Sequence, residues 1–185
     1  MSEGKAKQLS TRRVYAGRVV KVDLDTVKLP NGEAVELEMI RHSGASAIVP
    51  FLSDPASYDP QILLVRQYRH AAGGFIYEIP AGKLDPGEEP LACATRELLE
   101  ETGCTAQSIE HVYTFLTTPG FTDEKIHAFM ATGLTRGEQK LQRDEVMTTE
   151  MVAMSRAMEM IRKGEIIDAK TALSILFVAG FKLGH

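Results

Sequence analysis

The sequence predicts an α/β fold: a mixed β-sheet sandwiched by helices, with a small β appendage in front of it. Three features carry that expectation. An Asn-Gly turn, Asn31-Gly32, lies between alternating segments near the N-terminus. Two apolar runs, Gly44–Phe51 and Gln61–Tyr68, read as central strands. One amphipathic helical segment sits among the strands, and two more follow the last of them.

In chain order, residues 1–10 read as a frayed polar arm, and Arg12–Val22 carries weak strand patterning. Leu24–Leu29 and Ala34–Ile40 flank Pro30-Asn31-Gly32 as a hairpin. The two central strands are separated by the turn-rich stretch from Ser53 to Pro60. Phe75–Ile79 is a short strand running into Pro80-Ala81-Gly82. Gly87 and Pro90 open a helix that Gly103 stops. Ser108–Leu116, Lys125–Ala131 and Glu145–Met151 are further strands. Ser155 is expected to cap a helix to about Arg162 with Gly164 as its stop, and Asp168 to cap another, Ala169–Phe181. Met147, Met151, Met154 and Met158 fall near helical spacing and read as adaptable core filling.

Composition excludes several classes. At 44% hydrophobic and 25% charged residues the chain is of ordinary globular type. No apolar run approaches the ~18 residues of a membrane span, and Met1–Arg13 has no apolar signal core. Cys93 and Cys104 have neither disulfide-framework nor metal-type spacing. The histidines at 42, 70, 111, 127 and 185 have no ligand spacing either. A pI near 5.8 argues against general nucleic-acid binding. These readings predict a cytoplasmic protein with a small-molecule ligand, no nucleic acid and no membrane.

The charge is localised. Between Gly82 and Glu101, Asp85, Glu88, Glu89, Glu97, Glu100 and Glu101 face only Lys83 and Arg96, an excess equal to the net charge of −4 of the whole chain. At 100° per residue Glu97, Glu100 and Glu101 share one helical face. Ala94, Leu98, Leu91 and Thr102 form another, the expected core side. Exposed carboxylates at i, i+4 repel by only ~0.2–0.5 kcal/mol, so acidity alone suits a solvated face. In a cleft of effective dielectric ~20 the same pair ~6 Å apart repels by roughly 3 kcal/mol and demands a divalent cation. Oxygen-only ligands then favour Mg²⁺ or Mn²⁺.

The residues around the helix decide between the two. Gly82, Glu88, Arg96-Glu97-Leu98, Glu100-Glu101 and Gly103 occupy the fixed positions of a pattern over residues 82–104 that resembles the Nudix box of the Nudix hydrolases. Only its last slot departs, with Cys104 in place of a branched aliphatic residue. The resemblance implies a Nudix-type α/β/α sandwich over 42–185, behind an appendage at 1–41. It also implies hydrolysis of a nucleoside diphosphate linked to another moiety, with Glu97, Glu100, Glu101 and the Ala81 carbonyl as metal ligands. Arg96 is expected to orient the acids and Glu88 to support the metal site.

Other segments resemble the ADP-ribose pyrophosphatase branch. They are Arg66-Gln67-Tyr68-Arg69, Tyr77-Glu78-Ile79-Pro80-Ala81-Gly82, Thr117–Lys125 with Pro119-Gly120-Phe121, Asp144-Glu145, and Ile167-Asp168-Ala169-Lys170-Thr171. The branch often has Trp before the glutamate; here Tyr77 stands there and the chain has no Trp. The likeness implies Mg²⁺-dependent cleavage of ADP-ribose to AMP and ribose 5-phosphate. Arg69, Arg66, Glu78, Pro119, Gly120 and Phe121 are the expected substrate contacts. Glu145 and Glu100 compete for the role of base. Thr135–Lys140, which precedes Glu145, is read as part of a mobile loop. The same chemistry on ADP-glucose or GDP-mannose, a non-catalytic ADP-ribose sensor and a housecleaning triphosphate hydrolase remain rivals. The branch also implies a homodimer built through the N-terminal strands, with the base held near residues 12–40.

Overall fold

The computed structural model describes residues 5–141, 143 and 145–183. Asp144 and His185, both named above, lie outside them. Contact density divides the chain into two units, one of residues 1–44 with 116–125 and one of 45–115 with 126–185.

The first unit is an antiparallel sheet of β1 (Lys7–Ala16), β2 (Lys21–Lys28) and β3 (Ala34–Arg41), in that order. The hairpin forms where expected: Gly32 takes φ +93°, and the Asn31 side chain accepts from the Glu33 amide at 3.1 Å. Two expectations need correction. Residues 7–10 are strand, not a frayed arm, and the segment 12–22 is split by a turn in which Gly17 donates to the Val20 carbonyl. Polar cross-strand pairs hold β1: Thr11 to Asp25 at 2.6 Å, Ser10 to Thr26 at 3.0 Å, and Arg13 to Asp23. Apolar periodicity therefore gives no sign of it.

The stretch 116–125 joins this unit by pairing with the end of β3. The Ile40 amide donates to the Phe121 carbonyl at 2.7 Å, the His42 amide to Asp123 at 2.8 Å, and Arg41 pairs with Asp123 at 3.3 Å. Arg41 also binds Asp23 and Asp25.

In the second unit β4 (Ala45–Pro50) is central. It runs antiparallel to β7 (Ala81–Lys83) and parallel to β10 (Lys125–Thr132), which continues the sheet to β9 (Ser108–Leu116). A second sheet orders β12 (Met147–Ala153), β5 (Gln61–Arg69) and β6 (Gly74–Glu78), while β8 (Cys104–Thr105) pairs with β11 (Thr135–Arg136). Helix α1 (Pro90–Thr102) packs Ala94 and Leu98 against Ile48, Leu63, Phe129 and Ala131. Helices α2 (Met154–Arg162) and α3 (Ala169–Phe177) pack Ala157, Met160 and Ile175 against Ala47, Val49, Ile62 and Met130. Alternate residues of one strand thus feed opposite faces, as the pleat requires, and the helix–sheet–helix sandwich is present.

Four details differ from the sequence reading. Leu91, expected in the core, is exposed in the first turn of α1, while Ala94, Leu98 and Thr102 of the same face are buried. Ser155 does not cap α2; its amide and hydroxyl donate to Asp59 at 2.9 and 2.7 Å, so a loop aspartate supplies the cap. The methionine stripe crosses a strand–helix junction, so Met147 and Met154 are buried and Met151 is exposed. Regular α-helix ends at Phe177, and a π-helical turn, Val178–Leu183, continues it.

Candidate active site

Helix α1 is fixed at both ends. Ser46 of β4 donates to the Pro90 carbonyl at 2.7 Å, and Gly103 closes the helix at φ +71°. A Cβ on Gly103 would come within 2.6 Å of the Gly137 carbonyl oxygen. The carbonyls at this end are taken up from outside the helix, by Lys140 N on Glu100 and Gly137 N on Gly103, both 2.8 Å, and by Gln139 Nε2 on Glu101. The stretch expected to hang freely before Glu145 is therefore β11 followed by a clasp on the helix end. Orphan carbonyls need such partners.

The acids point into the protein. Glu97 is 7% and Glu101 3% exposed, while Glu100 is half-buried. Glu97 lies directly over Gly82: a Cβ there would sit 1.8 Å from its Oε1, so any side chain at 82 would displace that carboxylate. The Ala81 amide donates to Glu101 Oε2 at 3.1 Å. Arg96 grips Glu88 through Nε and Nη2, both at 2.9 Å, and reaches Glu97 at 2.6 Å and Glu100 at 3.4 Å through Nη1. Glu88 is held down at about 2 by Arg96 and the Asp85 amide. Burial, reinforced by Glu97 and Glu145, drives Glu101 up to about 8. Burial also raises Glu97, against the pull of Arg96. Glu145, half-buried, lies near enough for its charge to bear on both. Cys93, buried beside this cluster, has its thiol pushed up to about 11 and serves as filler.

Among the described residues no three histidine, cysteine, aspartate or glutamate side chains already surround a metal-sized point. The two innermost acids are turned to Arg96 and to the Ala81 amide.

Beyond Glu101 lies a second charged group. Arg69 binds Glu78 through Nε at 2.6 Å and Nη2 at 2.9 Å. Lys170 binds the same carboxylate and also Asp168 at 2.9 Å. Asp168 caps α3 as expected, accepting from Thr171 N at 3.0 Å and Oγ1 at 2.6 Å. The Ile79 amide donates to Thr171 Oγ1 at 2.9 Å. Burial pushes Glu78 up, but Arg69 and Lys170 outweigh it and hold its carboxyl below the usual range.

Ala81, Arg96, Glu97, Glu100, Glu101, Glu145, Arg69 and Glu78 thus share one region of the second unit. Arg66 does not join them. It points to the other face of β5 and lies over the Phe75 ring, 5.0 Å from its centre. Pro119, Gly120 and Phe121 belong to the first unit. Sequence reasoning missed Gln139, Lys170 and Thr171 as parts of this architecture. The Asp168–Thr171 string was visible, but nothing in it tells that its partners lie on β6.

Buried, mutually repelling carboxylates on a helix between sheet and loop, beside an arginine fork, are a donor set suited to a divalent cation and an anionic phosphate compound. The NUDIX domain family matches residues 42–172, and the chain belongs to that family and is a Nudix pyrophosphohydrolase. It is 38% identical over 174 residues to the methanol dehydrogenase activator of Bacillus methanolicus, covering 93% of this chain and 91% of the relative. The ADP-ribose pyrophosphatase of Bacillus subtilis (strain 168) is 37% identical with the same coverage. That of Mycobacterium tuberculosis is 33% identical over 100% of this chain and 88% of its own. A crystal structure of an ADP compounds hydrolase superposes with TM-score 0.83 at 20% identity, covering 100% of this chain and 97% of that one, a likeness of fold.

Proposed function

We propose that this protein hydrolyses ADP-ribose to AMP and ribose 5-phosphate with Mg²⁺, or Mn²⁺ in its place, as a cytoplasmic homodimer. One observation carries the chemistry: Glu97 and Glu101 are both buried, and among the described residues Arg96 is the one ion-pair partner of Glu97 while Glu101 accepts from the Ala81 amide and pairs with no cation. A divalent cation is the counter-charge that this oxygen-only donor set lacks. Glu97, Glu101, Glu100 and the Ala81 carbonyl would hold it. Bound there, it would neutralise pyrophosphate charge and lower the pKa of the attacking water. The family's ADP-ribose pyrophosphatases generally depend on a divalent metal.

The chain's own groups do the rest. Arg96 keeps the acids aligned, and Arg69, braced by Glu78, presents its outer N–H groups to a phosphate. Glu145 accepts the water proton as the water oxygen bonds to phosphorus, the bridging P–O bond breaks and the departing phosphate keeps that electron pair; Glu100 is the alternative acceptor. ADP-ribose as substrate is supported by the two full-length relatives of that name. GDP-mannose pyrophosphatases, 34% identical over 63% of the chain, support a second sugar nucleotide. The exposed side chains of β1, with Leu9, Val14 and Tyr15 among them, support pairing of two copies.

The test is a panel of sugar nucleotides, assayed by phosphatase-coupled phosphate release with Mg²⁺, Mn²⁺ or chelator. ADP-ribose should be cleaved fastest, and only with metal. Cleavage without any protein partner also separates this reading from obligatory action on a dehydrogenase, which the name of one relative suggests. Failure to cleave any sugar nucleotide overturns the reading, and light scattering at monomer mass overturns the dimer.

A further inference from the structure

We infer that Lys170 is a positioning residue for substrate phosphate, acting through Glu78 on Arg69. This rests on the proposed binding of a nucleoside diphosphate by Arg69. Glu78 is 2% exposed, and a carboxylate so enclosed needs full compensation. The Arg69 fork supplies part of it and engages two of the five guanidinium N–H groups, while the arginine side chain stays 42% exposed. If Arg69 were the sole partner of Glu78, its charge would be cancelled where the substrate's charge arrives. Lys170, 14% exposed and on the first turn of α3, provides the second cation.

The arrangement counts out as a neutral quartet: Arg69 and Lys170 against Glu78 and Asp168. Removing the ammonium leaves it at −1, on the side where Glu101 already contributes negative charge. A nucleoside diphosphate is itself a polyanion, so that change opposes binding directly. It also frees Glu78 to turn, and the Arg69 fork with it. The docking of α3 does not depend on Lys170, because Asp168 caps the helix and Thr171 receives the Ile79 amide independently. Lys170 has no contact with the acids of α1. Its loss should therefore appear in substrate affinity and leave the reaction step nearly intact.

The experiment compares wild type, Lys170→Arg, Lys170→Met and the double variant Lys170→Met with Glu78→Gln. Each is assayed for KM and kcat on ADP-ribose and for Kd of ADP by calorimetry. Lys170→Met should raise KM and Kd by ~10–100-fold, the scale of a lost charge-assisted hydrogen bond, with kcat within ~3-fold. Lys170→Arg should restore both to within ~3-fold. The double variant removes the buried charge together with its partner and so guards against simple misfolding. It should fold with a wild-type melting profile and still bind ADP weakly, because Arg69 has lost its holder. Unchanged KM in Lys170→Met, equal losses in kcat and KM, or wild-type affinity in the double variant overturns the inference. A wild-type protein that neither binds ADP nor cleaves ADP-ribose overturns the reading beneath it instead.

Discussion

Two pairs of acids in this molecule have almost the same exposure and opposite behaviour. Asp23 and Asp25, on β2 of the first unit, are 6% and 5% exposed; Glu97 and Glu101, on α1 of the second, are 7% and 3%. Arg13 holds Asp23 below the usual carboxylate range, and Thr11 with Arg41 does the same for Asp25. Burial holds Glu97 and Glu101 above it. The aspartates are met by Arg13, Arg41 and Thr11 in a three-stranded sheet, whereas the glutamates lie between helix and sheet, where Arg96 reaches Glu97 and Glu101 has the Ala81 amide. Exposure alone therefore does not identify a functional acid. An unmet need for positive charge does.

The largest test of that contrast is Glu101→Gln. Turnover should fall by ~10² or more, the scale of losing a key electrostatic group, while the fold persists. In the metal-free wild type, the folded value near 8 lies above the ordinary 4.5, so the folded state holds the extra proton between them. Stability should then decline as pH rises from about 4.5 towards about 8, and divalent cation should restore most at the upper end. Thermal melts across that range should show the slope in wild type and lose it in Glu101→Gln. An equal slope in both would break the comparison.

Gly82→Ala comes next. The added methyl displaces Glu97 from its seat, so turnover should drop by ~10-fold or more, with a raised Mg²⁺ requirement. Wild-type metal titration in that variant would contradict the packing argument. Glu145→Gln should lower kcat by ~10–10³, the range of lost general-base help, with no recovery at high Mg²⁺. Glu100→Gln should recover in part, because it is proposed as a ligand. Metal rescue of Glu145→Gln would reverse the two roles.

The smallest effect belongs to the paired acids. Asp25→Asn should lower the melting midpoint by a few degrees and leave kcat within ~3-fold. Because Asp25 is held low in the fold, its stabilisation is complete above the ordinary value of 3.8 and fades as pH falls below it. Loss of metal-dependent turnover in Asp25→Asn would show that the paired aspartates also serve the reaction.

What the sequence revealed was local. Pro90, Gly103 and the Asp168 cap are short-range conditions on one helix end each, and the structure shows the ends they specify, whereas Gly82 lies in β7 and is constrained by Glu97. The helix wheel groups Glu97 with Glu101 and finds the core side at Ala94, Leu98 and Thr102, but it carries no information on where along the axis the sheet ends, which leaves Leu91 of the first turn outside. Arg66 and Arg69 could have been separated from the start, since residues three apart on a strand lie on opposite faces. Polar pairing in β1 and the attachment of 116–125 to β3 have no periodic signature. Nor does Lys170, whose partner Glu78 lies 92 positions earlier.

The bond from the Ile79 amide to Thr171 spans as many residues, and it has a consequence during synthesis. When the acidic helix has left the ribosome, the strand end that carries Glu78 to Gly82 still lacks its brace. At ~5–20 residues per second the wait from Ile79 to Thr171 is roughly 5–20 s. A chain stalled within that interval would carry the whole acidic motif and an unfinished site. A truncated product ending before α3 should therefore be inert towards cellular nucleotides instead of a partly active hydrolase.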